Sequence, residues 1–166
     1  MEAEKILLCV GRKPNIEGLG LEKAGVKTER GYIQVNDRME TSVPGIYAVG
    51  DCNGKLMLAH AAMAMGETAA ENAAGGSKTF IAAYSPSCAY IGPELAGVGY
   101  TEEQLKEKGV DYKVGRFVTA ANGRSLVSGH VDGMVKIIAG EKYGEILGVH
   151  IMAPSATELI EEAALA

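Results

Sequence analysis

Short apolar runs that end at glycine mark the first half of the chain. Residues 5–10 and residues 46–49 are such runs, and each is typical of a strand buried on both faces of a parallel sheet. Residues 32–37 alternate apolar and polar side chains, which predicts a strand with one face in water. Residues 18–25 predict a short helical turn closed by glycine. A buried strand at residues 5–10 needs neighbours on both edges, so the pattern predicts a chain that begins partway through a larger fold.

Apolar residues spaced four and three apart predict one long helix, from about residue 57 to residue 74. Its predicted stripe consists of Leu58, Ala62, Met65, Ala69 and Ala73. The many alanines keep this helix thin, so a flat ligand or another backbone can lie close against it. Two glycines and a serine at residues 75–77 predict a domain boundary, with a connection running to about residue 83.

The second half of the chain has the pattern of an antiparallel sheet with helices set apart from it. Its five predicted strands are residues 87–91, 95–100, 112–119, 134–139 and 145–152. Residues 101–109 predict a helix that begins at a capping threonine and ends at glycine, and residues 155–166 predict a closing helix. The pattern therefore predicts an α/β part followed by an α+β domain with an antiparallel sheet.

Asp51 is the first candidate for a ligand contact, because it follows Gly50 at the end of a predicted strand. Open α/β sheets hold ligands at the carboxyl ends of strands, and a carboxylate that only accepts hydrogen bonds suits a hydroxyl-rich partner. The next helix begins with residues 57–60 and has no Ser, Thr or Asp directly before it, so its free N–H groups suit an electron-rich ligand atom. On spacing alone, it is an equally good interpretation that Asp51 closes a turn and that Asn53 or water caps the helix.

Composition narrows the class of protein. The 166 residues are 47% hydrophobic and 22% charged, and the net charge of −5 argues against a nucleic-acid or anionic-membrane partner. No apolar stretch reaches the roughly 18 residues that span a bilayer, and no signal peptide is predicted. Cys9, Cys52 and Cys88 are widely spaced, which excludes a disulfide framework and predicts a cytoplasmic location. Cys9 and Cys88 are predicted to be buried, and Cys52 lies beside Asp51.

Thr41, followed after five residues by residues 47–51, resembles the second flavin-binding motif of the pyridine nucleotide–disulfide oxidoreductases. Residues 57–60 resemble the dihydrolipoamide dehydrogenase branch of that family. The resemblance implies that Asp51 holds a hydroxyl of the FAD ribityl chain. It also implies that four backbone N–H groups face the pyrimidine edge of the flavin ring, namely those of Met57, Leu58, Ala59 and His60. Reduced flavin gathers negative charge at that edge, which a helix N-terminus stabilises.

Residues 11–15 resemble the crossing from the NAD domain to the FAD domain of this family, which implies that the backbone at Gly11 lies near NAD. The residues alone fit a plain glycine at a strand end equally well. Further motifs resemble the family's C-terminal interface domain, which pairs two subunits and implies a homodimer. These motifs are Tyr90, Pro93, Glu94 and residues 122–124, 147–150 and 158–160.

The implied domains are the end of the NAD-binding domain (residues 1–11), the C-terminal part of the FAD-binding domain (residues 12–83) and a truncated interface domain (residues 84–166). The resemblance implies an oxidoreductase that uses FAD and oxidises dihydrolipoamide with NAD as acceptor. Its implied partner is a lipoyl-bearing protein of a 2-oxo acid dehydrogenase or glycine cleavage complex.

The other catalytic motifs of the family do not occur in this sequence, which contains no Gly-x-Gly-x-x-Gly, no Cys-x4-Cys pair and no terminal His-x-His-Pro. We therefore expect no catalytic residue in this chain and no turnover by the chain alone. His60, His130 and His150 are expected to be structural or exposed to solvent. Two alternatives stay open: a stand-alone, non-catalytic dimerisation module, and another disulfide reductase of the family, such as glutathione or mercuric reductase.

Overall fold

The computed structural model describes residues 3–166. The chain forms two compact units, which divide between Phe80 and Ile81. The elements of the first unit are α1 (Leu21–Ala24), β1 (Thr28–Glu29), β2 (Tyr32–Ile33), a 3-10 turn at Gly50–Asn53 and α2 (Ala59–Ala73). β1 and β2 pair antiparallel, and α1 confirms the predicted helical turn. Within residues 3–166 no helix, α2 included, is both long and apolar enough to cross a membrane.

α2 confirms the predicted long helix, but its buried face is rotated from the predicted stripe. Met65 and Ala69 are buried as predicted, whereas Ala73 is exposed. Thr68 and Asn72 are buried as well, because both find hydrogen-bond partners inside. The Thr68 hydroxyl donates to a carbonyl of the preceding turn at 2.9 Å, and the Asn72 amide donates to two loop carbonyls at 3.0 and 2.8 Å.

The predicted strand at residues 5–10 is wrong. These residues form no regular structure and are exposed, Ile6 to 91%. A strand needs the N–H and C=O groups of a neighbouring strand, and in the described part of the chain no strand pairs with this segment. Cys9, predicted to be buried, is exposed for the same reason.

The predicted buried strand at residues 46–49 is also wrong. Its described pairing is one isolated antiparallel bridge between Tyr47 and Glu40. Ala48 is buried, but Ile46 and Val49 are exposed, so the run is not covered on both faces. The predicted strand at residues 32–37 shortens to β2. In both cases the apolar pattern is present but the ladder of partner strands is not, and the pattern alone does not make a sheet.

The second unit is built on a five-stranded antiparallel sheet with the order β3-β4-β7-β6-β5. Its elements are a 3-10 turn (Ala82–Tyr84), β3 (Ser87–Ala89), β4 (Glu94–Gly99), α3 (Glu102–Lys108), β5 (Tyr112–Val118), a 3-10 turn (Thr119–Ala121), α4 (Gly123–Ser128), β6 (Met134–Gly140), β7 (Ile146–Ala153) and α5 (Ala156–Leu165). All five predicted strands and both predicted helices of this half are confirmed. The mixed architecture with its antiparallel sheet confirms the predicted fold class. Cys88, predicted to be buried, is only half-buried in β3.

α4 lies outside the predicted elements, because its six residues carry no apolar stripe. The sequence signal that could have predicted α4 is its pair of capping residues, Asn122 before the helix and Gly129 after it. The Asn122 side chain accepts a hydrogen bond from the Ser125 N–H at 3.1 Å, and Gly129 ends the helix with a φ of +74°.

α5 covers one face of the sheet. Ile160 is fully buried, in one cluster with Val149 and Ile151 of β7. The first turn of α5 is tied to β4, because Glu94 Oε2 accepts hydrogen bonds from the Thr157 N–H at 3.0 Å and from its hydroxyl at 2.7 Å. These two hydrogen bonds lower the pKa of the Glu94 carboxyl group, because they stabilise its charged form.

The contact between α5 and the sheet can be tested by removing its central side chain. Ile160→Ala should lower the free energy of unfolding by about 2–5 kcal/mol, since it leaves a cavity at a site with no solvent exposure. Leu165→Ala is the matched control, because Leu165 lies on the same helix and is 91% exposed. Urea denaturation of the three proteins measures the difference. Equal losses for the two variants would contradict this packing.

Candidate functional site

The 3-10 turn at Gly50–Asn53 packs directly against α2 and carries the candidate Asp51. Gly50 is buried and has a φ of +77°, a conformation that favours glycine. A Cβ atom at this position would lie 3.3 Å from the Cβ of Ala62. Both the dihedral angle and the close approach therefore require glycine here, and they bring Asp51 beside the helix.

The Asp51 carboxylate is half-exposed and forms an ion pair with Arg12. Its Oδ2 lies 3.5 Å from Nη1 of Arg12, whose side chain is 77% exposed. An exposed ion pair of this kind stabilises a fold by only about 0–1 kcal/mol. The carboxylate is therefore accessible, and it can exchange this contact for the hydroxyl groups of a ligand. No sequence signal pointed to Arg12, which precedes Asp51 by 39 residues.

The second predicted contact is the N-terminal end of α2. Leu58 is the N-cap residue, with an extended backbone and no capping hydrogen bond from its side chain, and the first turn contains no acidic residue. Met57, Ala59 and His60 are exposed, and Leu58 is half-buried. The Leu58 side chain thus gives this helix of 15 residues no cap, and its first turn carries no acidic countercharge to its positive end. This arrangement fits the electron-rich edge of a ring.

The expectation that Asn53 caps α2 is wrong, because the helix begins six residues later. The Asn53 side chain instead closes the Gly50–Asn53 turn. The amide Nδ2 donates to the Ala48 carbonyl at 3.0 Å, and Oδ1 accepts from the Lys55 N–H at 2.9 Å. The useful signal in the sequence was an asparagine just before Gly54, since such residues bind their own backbone in turns.

Gly11 is exposed and has a φ of +121°, and a Cβ atom added at this position would meet no other atom within 4 Å. The positive φ, and not a close neighbour, is what favours glycine here. Gly11 directly precedes Arg12, so the segment predicted to lie near NAD contacts the Asp51 carboxylate through the guanidinium group. The NAD contact itself stays a prediction.

Other reactive side chains are dispersed among the described residues. His60 and His130 are exposed, and His150 Nε2 lies 3.1 Å from the Tyr100 carbonyl oxygen, an interaction suited to a structural role. No group of three or more His, Cys, Asp or Glu residues in the described chain could hold a metal ion.

Cys52 is half-buried beside Asp51, and its thiol donates to the Val49 carbonyl at 3.1 Å. Burial raises the pKa of the Cys52 thiol, and the negative charge of Asp51 raises it further. The thiolate is the nucleophile in cysteine chemistry, so Cys52 is held in its unreactive form at neutral pH.

Comparison with known proteins places both units in one family. Residues 1–66 match the model of the pyridine nucleotide-disulphide oxidoreductases, and residues 85–166 match the model of the dimerisation domain of pyridine nucleotide-disulphide oxidoreductases. The chain is 53% identical over 164 residues to a dihydrolipoyl dehydrogenase of Thermus scotoductus, covering 98% of this chain and 35% of that protein. It is 46% identical over 162 residues to the human mitochondrial dihydrolipoyl dehydrogenase, covering 97% of this chain and 32% of that protein.

Solved structures agree with these matches. LpdA of Mycobacterium tuberculosis superimposes with a TM-score of 0.85 at 33% identity, over 92% of this chain and 34% of that one. The HOCl-induced flavoprotein disulfide reductase RclA of Escherichia coli gives a TM-score of 0.81 at 29% identity, over 94% of this chain and 37% of that one. The chain thus spans about a third of the length of the curated relatives it matches.

The state of Cys52 can be tested by alkylation with iodoacetamide at pH 8. Cys52 should react severalfold more slowly than the exposed Cys9, because its raised pKa leaves less thiolate at that pH. Asp51→Asn removes one cause of the raised pKa and should speed the reaction of Cys52 but not that of Cys9. Mass spectrometry of the labelled peptides measures both rates. Equal rates at the two cysteines would contradict the assignment.

Proposed function

The chain belongs to the pyridine nucleotide-disulphide oxidoreductase family, and on that premise we propose that it forms part of a flavin-dependent enzyme that oxidises dihydrolipoamide with NAD as acceptor. The observation that carries this proposal is the pairing of an accessible Asp51 carboxylate with the uncapped N-terminus of α2. The 53% identity to a dihydrolipoyl dehydrogenase supports the choice of substrate.

FAD fits the donors and acceptors of this site. Asp51 offers acceptors for the ribityl hydroxyl groups, and the turn formed by Met57, Leu58, Ala59 and His60 offers backbone N–H groups and a positive helix end for the pyrimidine edge of the ring. The Leu58 N–H donates to the Leu56 carbonyl at 3.0 Å, so a contact between this group and the ring would replace that hydrogen bond. Bound FAD supplies the electron transfer between the dithiol and NAD. The chain's own part is to bind and orient it, and the backbone at Gly11 is our proposed contact for NAD.

We further propose that the chain alone does not catalyse the reaction. Oxidation of a dithiol needs a disulfide to accept it and a base to take the proton. Cys9, Cys52 and Cys88 are all free, and the thiol of Cys52 has a raised pKa. We therefore assign to this chain neither the cysteine pair that accepts the electrons nor the base that takes the proton. This division of labour would make residues 12–83 a flavin-binding part, residues 84–166 an interface domain and residues 1–11 the end of the NAD domain.

The disulfide reductase of Escherichia coli provides the alternative within the family. Its lower identity of 29%, against 53% for the dihydrolipoyl dehydrogenase, favours dihydrolipoamide as the substrate. A lipoyl-bearing protein of a 2-oxo acid dehydrogenase or glycine cleavage complex is the partner that this substrate requires. We place the protein in the reducing environment of the cytoplasm, which suits three free cysteines.

A chimera tests the function directly. In it, this chain replaces the 164 matched residues of the Thermus scotoductus dihydrolipoyl dehydrogenase. The chimera should retain flavin and oxidise dihydrolipoamide with NAD, while the chain alone shows no turnover. Asp51→Ala in the chimera should weaken flavin retention by about 1.5–3 kcal/mol, the range for a hydrogen bond to a charged group. Flavin absorbance after gel filtration and the rate of NADH formation are the measurements.

Asp132→Ala is the control, since Asp132 is an exposed carboxylate in the second unit. It should leave flavin content unchanged. A chimera that folds and holds flavin but reduces glutathione disulfide instead would refute the proposed substrate. An Asp51→Ala chimera with full flavin content would refute the role of Asp51.

Residues 85–166 match the family's dimerisation domain, and we propose that the chain pairs with a second copy through this unit. The contact that we propose involves the closing helix α5, which carries the apolar residues Leu159, Ile160, Ala163 and Ala164. In the fold, Ile160 is buried and both alanines pack on the chain's own sheet, whereas Leu159 is half-exposed. Of these four side chains, Leu159 is therefore the one that remains for an isologous contact.

Light scattering at tens of micromolar tests this pairing. The chain should give twice its monomer mass of 17.4 kDa. Leu159→Lys should shift the population toward monomer, since it places a charge in an apolar contact. Leu19→Lys is the control, because Leu19 is an exposed leucine of the first unit. A monomer at every concentration, or equal effects of the two substitutions, would count against the contact.

A further inference from the structure

A small cluster of sulfur and amide groups lies beneath the turn that carries Asp51. The Gly50 N–H donates to the Sδ atom of Met65 at 3.4 Å, and Nδ2 of Asn53 donates to the same sulfur at 3.4 Å. A second thioether, Met39 Sδ, lies 3.9 Å from the Asn53 amide nitrogen. Met65 and Met39 have no solvent exposure, and Gly50 and Asn53 are buried.

The Met65 sulfur accepts a hydrogen bond from the buried Gly50 N–H, which a hydrocarbon side chain could not do. Gly50 approaches α2 so closely that water is excluded from its N–H group, and a buried donor without an acceptor is costly. A thioether is a weak acceptor, but it is also flexible and apolar, so it fills the core beneath the turn. Leucine at position 65 would have a similar volume and no acceptor.

Asn53 binds the same sulfur and also joins the two ends of the turn. Its Nδ2 faces acceptors, the Ala48 carbonyl and Met65 Sδ, while its Oδ1 faces a donor, the Lys55 N–H. This pattern leaves one orientation of the amide. The chain before the turn, the chain after it and α2 are thus connected through one side chain.

We propose that Met65 and Asn53 are positioning residues, which hold the Gly50–Asn53 turn on α2 and so set where Asp51 stands relative to the N-terminus of that helix. The proposal rests on the proposed function, in which both of these groups contact FAD. Because Met65 belongs to α2 itself, one rigid helix sets the place of the ribityl contact and of the ring contact together. The separation of the two contacts is then independent of the exposed Arg12–Asp51 ion pair.

Nuclear magnetic resonance of the ¹⁵N-labelled chain tests this directly, without flavin. In Met65→Leu the Gly50 amide should lose its acceptor, so its proton resonance should move and its exchange with solvent should rise about fivefold. Amides inside α2, such as those of Ala69 and Asn72, should keep their exchange rates. Met63→Leu is the matched control, because Met63 lies on the same helix and is 70% exposed. It should leave the Gly50 resonance unchanged.

Asn53→Asp provides a second variant, which keeps the shape of the side chain but replaces the donor by an acceptor. It too should shift the Gly50 and Asp51 amide resonances. An unchanged Gly50 amide in a folded Met65→Leu chain overturns the proposal, and so does an equal change in Met63→Leu. Should Met65→Leu not fold, the same criterion applies to the Asn53→Asp chain.

The effect of Met65 on flavin binding is measured in the chimera with the Thermus scotoductus protein. Met65→Leu should lower flavin retention at least threefold, and Met63→Leu should not, at matched thermal stability. Asp51→Ala should lower flavin retention without the fivefold rise in solvent exchange at the Gly50 amide, because it leaves the Met65 acceptor in place. If Asp51→Ala keeps its flavin, the proposed function fails and the Gly50 result still stands. If Met65→Leu leaves both the Gly50 amide and flavin retention unchanged, the positioning role fails while the role of Asp51 stands.

Discussion

The close approach of the Gly50–Asn53 turn to α2 is the constraint on which the candidate site depends. It requires a residue without a side chain at position 50, a positive φ and a buried acceptor for the Gly50 N–H. Met65 supplies that acceptor from the helix itself. With the turn placed in this way, Asp51 is left half-exposed beside the helix, where its carboxylate can bind a hydroxyl-rich ligand.

The two units differ in how many of their backbone N–H and C=O groups are paired with neighbouring strands of the same unit. In the second unit every strand has a partner, α5 covers one face, and Glu94 binds the first turn of that helix. In the first unit the described pairing is one short hairpin and one bridge, and residues 5–10 expose four large apolar side chains. A segment that is rich in Ile, Leu and Val but has no partner strand stays irregular, because burial and pairing must come together.

This difference explains which elements could be predicted. The strands of the second unit pair with antiparallel neighbours, and turn residues such as Gly140 and Gly144 mark the hairpin between β6 and β7 in the sequence. α4 was not predicted, because a helix of six residues is too short to show a clear periodicity of apolar residues. In the first unit the run at residues 46–49 has the composition of a central strand, but a central strand is defined by its neighbours and not by its composition.

For the candidate site, the sequence by itself determined Asp51, Gly50 and the long helix that follows, since a glycine–aspartate turn and a four-and-three spacing are local features. Only the tertiary structure decided that Arg12 contacts Asp51 and that α2 buries Thr68 and Asn72. It also decided that the Met65 sulfur lies under the Gly50 N–H, 15 residues away in the chain. The physical reason is that these contacts depend on which hydrogen-bonding groups lose their water when the turn packs against the helix. A linear pattern of polar and apolar residues does not contain that information.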